Sequence, residues 1–139
     1  AGALSGLAGF ASLFLVPAIG LPPEIPGVEA AALENRQSWW VLAVTSSAVA
    51  FALFAFAPWK FKGAGVVLLA LPFLTGAPHN HGPAFAHPDP AAVEQLTALH
   101  QQFIIWSGVT NAAFWLALGI LTAIAVKRFM APALQAISE

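Results

Sequence analysis

The 139-residue chain has no cysteine, no tyrosine, a single methionine and hardly any charge. Without cysteine there is neither a disulfide nor a thiolate metal site, and the redox compartment stays open. Only 8% of the residues are charged, about a third of the share that a water-facing domain needs to cover its surface. With 59% hydrophobic residues and a strongly positive mean hydropathy, the surface must face something other than water. A net charge of −1 excludes the basic patch that a nucleic-acid partner demands. There is no HExxH, no nucleophile elbow and no phosphate-binding glycine loop, so neither an enzyme nor an organic cofactor is implied. The expected class is an all-α integral membrane protein with the lipid bilayer as its partner.

What remains is apolar sequence divided by charge. Residues 1 to 23, 37 to 59, 63 to 88 and 95 to 126 carry none. A helix needs roughly 20 apolar residues to cross the hydrocarbon core, where its backbone must satisfy itself. Segments of about 2–21, 38–59 and 103–127 meet that length; 63–77 is short and interrupted by Pro72. It reads either as a kinked span or as a re-entrant segment, and the charge pattern favours the span. The expectation is one transmembrane helical domain over 1–139, a bundle of about four helices without internal repeat or linker. Lys60, Lys62, Lys127 and Arg128, four of the five basic residues, fall at one face, which the positive-inside rule makes cytoplasmic. That gives an N-in, C-in topology. The other face receives Glu24, Glu29, Glu34, Arg36, Asp89, Glu94 and all four histidines. Trp39 and Trp40 are expected to anchor one interface and Trp59 the other. Ala1 follows no initiator methionine and no basic n-region, so the chain is expected to begin inside a longer protein.

Two small-residue pairs, Gly2 with Gly6 and Ser5 with Gly9, extended by Ser12, mark a helix-packing face in the first span. Pro17 and then GLPPEIPG (residues 20–27) are expected to end that helix. Glu24, in this rigid turn, is either a solvated carboxylate or an oxygen ligand at the mouth of a pathway. The last helix is better specified: Asp89 caps it, Pro90 suits its first turn and Glu94 its positive end, and it runs to about Phe129. On it His100, Ser107 and Asn111 return to within about 20° of one face and form a polar stripe that stops at Leu118. An asparagine in such a helix is more often interhelical glue than an ion ligand. Thr45, Ser46 and Ser47 in the second span lie a turn or two below the same His-bearing surface; they either add to this polar stripe or simply bond back to their own helix.

Three histidines fall in GAPHNHGPAFAHP, residues 76–88. His79 and His81 flank Asn80 and can turn two imidazoles toward one ion, with His87, His100 or carboxylates completing the set. Neutral imidazole with oxygen co-ligands suits borderline divalent ions such as Co, Ni, Zn or Cu. A solvated loop that merely carries histidine has equal standing on these residues alone.

The GLAGF start, the GLPPEIPG turn and the RQSWW that leads into the second span resemble the CbtA family of predicted cobalt transporter subunits. LLALPFLTGAPHNHG resembles that family's LPxLxGAP segment, FWLALG resembles its closing helix, and the likeness covers nearly the whole chain. The family is longer, with further spans and a His-bearing segment toward its N-terminus. The positions carried over are Pro22, Pro23, Glu24, Pro26, Arg36, Gln37, Trp39, Trp40, Gly76, Pro78, Phe114, Trp115 and Gly119, most of them structural in character. The resemblance implies a multi-pass bacterial inner-membrane protein of cobalt uptake, working beside a small His-rich subunit called CbtB. The function expected is capture of divalent cobalt (or nickel) at the outer face by His79, His81, His87 and His100, with Glu24, Ser107 and Asn111 along the descent. The rival is a structural or assembly subunit packed in a larger membrane complex.

Overall fold

The computed structural model describes residues 2–130. Helix α1 spans Gly2–Gly20. One turn of it, Ala11–Leu15, is π-helical, with the Val16 N–H reaching the Ala11 carbonyl five residues back. Pro17 follows at once and has no N–H to give the preceding turn. The widened turn absorbs that missing donor, so the helix passes through Pro17 and ends at Gly20. Of the two stop signals expected, GLPPEIPG ends the helix, close to the expected limit of about residue 21, and Pro17 does not.

Helix α2, Leu33–Phe56, starts before the charge-free run, with Glu34 at its positive end. It stops short of residue 59 because Ala57 precedes Pro58 and is driven to an extended conformation (φ −83°, ψ 150°). A 3₁₀ turn, Trp59–Phe61, leads into α3, Lys62–Thr75, whose last turn holds Pro72. Fourteen residues rise about 21 Å, short of the ~30 Å hydrocarbon core. Gly76 ends α3 at φ +78°, a conformation that favours glycine. Helix α4, Pro90–Met130, begins on an Asp89 cap whose Oδ1 accepts the Ala91 N–H at 2.9 Å. Its 41 residues rise about 61 Å, twice the core, so its first turns stand clear of the hydrocarbon. Helices α1, α2 and α4 are long and apolar enough to cross a membrane.

The helices stand in a row, α4–α1–α2–α3, each antiparallel to its neighbour. Gly2 lies against Gly119 and Ala123 while Pro23 meets His100. Ser12 meets Ser47 and Gly20 meets Trp39; Trp39 in turn reaches Pro72, and Phe54 lies over Gly65. The alternation puts Lys60, Lys62, Lys127 and Arg128 at one end. Glu24, Glu29, Glu34, Asp89 and Glu94, with Arg36 and the histidines, occupy the other.

Burial is sparse. Among the described residues the buried apolar side chains are Val16, Trp39, Ala43, Ala50 and Phe85, whereas Leu4, Phe56, Trp106 and Phe114 are exposed. Lipid covers such a surface, but gives helices no hydrophobic reason to associate, which leaves close packing as the main attraction. Glycine supplies it. A Cβ on Gly119 would fall on the Gly2 carbonyl and 2.7 Å from the Gly6 nitrogen, and one on Gly6 would fall on the Trp115 carbonyl.

Candidate functional site

The polar end is closed by two loops, 21–32 and 76–89, which bond to each other and to the helices below. The Glu29 N–H donates to the Ala84 carbonyl at 2.9 Å, and Asn80 Nδ2 donates to the Glu29 carbonyl at 3.1 Å. Phe85, buried, meets the His100 ring edge-on with centroids 6.0 Å apart. His100 Nε2 donates to the Pro23 carbonyl at 3.0 Å and so pins α4 to the first loop. Glu24 is not a free carboxylate: its Oε2 accepts from Arg36 Nη2 at 2.6 Å, both side chains being half-buried. The Arg36 Nε is buried without a partner.

Trp39 departs from the interface role expected of it. Its ring is 5% exposed and packs over Gly20, its face toward Phe73 is edge-on, and its indole N–H donates to the Pro72 carbonyl at 2.9 Å. A carbonyl in the last turn of a helix has no intrahelical donor; the Trp39 indole and the Thr75 hydroxyl (2.8 Å) supply two. Trp40, 41% exposed, is left to face outward.

The structure does not gather the four histidines into one site. Among the described residues no three His, Cys, Asp or Glu side chains are placed to hold one ion. His79 and His81 line a shared cavity of about 630 Å³ with Asn35 and Asn80. His87 lines a separate cavity with Phe85 and Pro90, and His100 is half-buried beneath the loops. Hydrogen bonding separates them further. His79 Nδ1 donates to the Ala77 carbonyl, which leaves the Nε2 lone pair free, and His79 and His81 are both exposed. His87 Nδ1 accepts the Asp89 N–H at 3.1 Å; the neutral ring then carries its proton on Nε2 and has no lone pair to offer. His100 spends its Nε2–H on Pro23.

A smaller cavity of about 340 Å³ joins the two loops. Glu24, Glu29, Arg36, His79, Asn80 and Gly82 contribute to its wall.

Below the loops, Ser107 and Asn111 are half-buried on the side of α4 that also carries His100 and Gly108, the latter facing Phe14 of α1. Asn111 Nδ2 donates at 2.9 Å to the Ser107 carbonyl of its own helix. Thr45, Ser46 and Ser47 likewise donate to carbonyls one turn back, those of Val41 and Ala43, and Ser47 also lies 3.5 Å from the Ser12 carbonyl. In the α1–α4 seam Gly9 lies under the Trp115 ring, Ser5 borders a groove with Gly2 and Gly6, and Ser12 is buried toward α2.

Four residues that build this end escape a reading of the sequence for sites: Asn80 and Phe85 as loop anchors, Arg36 as the partner of Glu24, and Trp39 as a helix-end donor. Two carried a signal. Phe85 is the sole large apolar residue of loop 76–89, and Arg36 is the sole basic residue of the polar end.

The family model described as probable cobalt transporter subunit (CbtA) matches residues 1–127. No curated protein and no solved structure matches the chain significantly.

Proposed function

The chain belongs to the family of probable cobalt transporter subunits (CbtA), and from that membership we propose that it captures divalent cobalt at the outer face of the bacterial inner membrane. Nickel is the second candidate cargo. One observation carries the proposal: the antiparallel row collects Glu24, Glu29, Glu34, Asp89, Glu94 and the imidazoles at one end and Lys60, Lys62, Lys127 and Arg128 at the other. The positive-inside rule then turns the basic end to the cytoplasm and the polar end outward, in a multi-pass N-in, C-in topology. His79 and His81 take the ion first. Neutral imidazole suits cobalt and nickel, and the bond from His79 Nδ1 to Ala77 leaves the Nε2 lone pair of this exposed ring free. The engaged rings of His87 and His100 hold the loop in shape. The energy for transport comes from a partner subunit or an ion gradient, and a small His-rich subunit is the partner proposed.

Two measurements test this. Tags after Lys62 and near Gly82 should report opposite sides of the membrane, Lys62 on the cytoplasmic one. If they share a side, α3 does not span and the orientation argument fails. Replacing His79 and His81 together with alanine should lower Co²⁺ binding and cellular cobalt accumulation while the protein still folds, because exposed loop side chains contribute little to packing. Unchanged accumulation, with the chain purifying inside a larger complex, would favour the structural-subunit reading.

A further inference from the structure

At the basic end, a groove of about 450 Å³ runs along the seam of α1 and α4. Gly2 and Gly6 line it from one helix, and Trp115, Gly119, Thr122 and Lys127 from the other. The packing accounts for it: glycine brings the two backbones together and leaves no side chain to fill the furrow beside them. From Trp115 to Lys127 the helix rises about 18 Å. Spread over that length, the volume leaves a section of about 25 Å². That is room for one hydrocarbon chain and not for a helix, which is about 10 Å across with its side chains.

Of the four cations at this end, three lie over rings: Lys60 over Phe61, Lys62 over Trp59 and Arg128 over Phe129. Lys127, exposed in the wall of the groove, has neither a ring nor an ion pair among the described residues. No carboxylate lies at this end among the described residues either. An apolar furrow left unfilled forfeits dispersion contacts along its walls, and basic pockets between membrane helices suit anionic headgroups.

We propose that the groove binds one anionic phospholipid. A single acyl chain lies along Gly2, Gly6 and Gly119, and the headgroup phosphate takes the Lys127 ammonium. The order matches the molecule: hydrocarbon along the seam, charge where the helix leaves it. A lipid so held fills the space that the glycines leave and ties α1 to α4 at the end opposite the histidines. The site is independent of the cargo and of how an ion is captured.

The test is native mass spectrometry of the purified full chain in detergent. The titrants are dioleoyl phosphatidylglycerol and dioleoyl phosphatidylcholine, which share their chains and differ in net charge. Wild type should retain one phosphatidylglycerol in preference to phosphatidylcholine. Lys127→Gln should weaken that binding about fivefold, the worth of one lysine near an anionic headgroup. Lys62→Gln, outside the groove, should change it less than about twofold. Thr122→Phe, at an exposed position, fills the groove with a ring and should abolish the preference. Equal retention of the two lipids by wild type overturns the proposal. Equal losses in the two lysine variants overturn it in favour of a diffuse basic surface. Full retention in a folded Thr122→Phe protein overturns it too, because residues 131–139 or another chain then own the groove. A dimer that this variant dissociates would assign the groove to a second copy. Should Thr122→Phe not fold, the two lysine variants decide.

Discussion

Between α1 and α4 the backbones meet directly at Gly2, Gly6 and Gly119, with the Trp115 ring laid over Gly9. At the polar end, by contrast, contacts run through named donors and acceptors: Arg36 to Glu24, His100 to Pro23, Asn80 to Glu29. The difference follows from the two solvents. Lipid offers no hydrophobic drive, so the seam gains attraction only by approach, and approach needs the absence of side chains. At the water-facing end loop carbonyls and N–H groups must find partners or stay solvated, so polar side chains select one loop arrangement. The imidazoles lie at the polar end, whereas the seam is built from glycine, alanine and tryptophan.

The strongest way to break this comparison is Gly6→Leu. The new side chain starts from a Cβ that already falls on the Trp115 carbonyl, so α1 and α4 must part. The expected cost is ~3 kcal/mol or more, at or above the usual range for overpacking. Size-exclusion profiles and thermal melts in detergent should show little folded protein. A melt within a degree or two of wild type would mean that the seam is not what holds the row.

Trp39→Phe is smaller and probes the other mode. Phenylalanine keeps a ring over Gly20 but removes the indole donor, and the Pro72 carbonyl keeps the Thr75 hydroxyl. A loss of about 1 kcal/mol is expected, the ordinary net worth of one hydrogen bond. A loss as large as that from Gly6→Leu would show that Trp39 acts chiefly by filling space, and the two ends would then differ less than the contacts imply.

How far each region could be read in advance tracks the same division. That the chain is helical, with three helices fit to cross a membrane, follows from charge-free runs and needs no knowledge of partners. Helix ends set by local chemistry were also legible, as at Asp89 and Pro90, where cap and first turn are neighbours in sequence. Pro17 misled because a π turn one step upstream can absorb a missing N–H, and no residue type announces such a turn. The polar end was the least legible. Arg36 lies twelve residues from Glu24, and His100 lies 77 from Pro23, so only the antiparallel row brings them together. The histidines were visible as a group in sequence, but which ring nitrogen each has free depends on Ala77, Asp89 and Pro23.

The smallest effect expected, and the sharpest test of where the polar region ends, is Asn111→Leu. Interhelical amide bonds within membranes average only about 0.6 kcal/mol. The Asn111 amide does not even cross between helices; it donates to Ser107 on its own helix, beside Gly108 and Phe14. Removing it should shift thermal stability by about 0.5 kcal/mol or less. Leucine at this place also improves the helix for lipid, which offsets part of that loss. Uptake decides the rest. If cobalt is handled at the loops and handed on elsewhere, the Asn111→Leu protein accumulates cobalt at the wild-type rate. If the stripe from His100 through Ser107 to Asn111 is the descent, leucine removes an oxygen ligand where a bare cation is very costly. Accumulation would then collapse in a protein that melts normally and still binds Co²⁺ at its surface, and the boundary between the polar end and the apolar row would lie about three turns deeper than the His100–Pro23 bond places it.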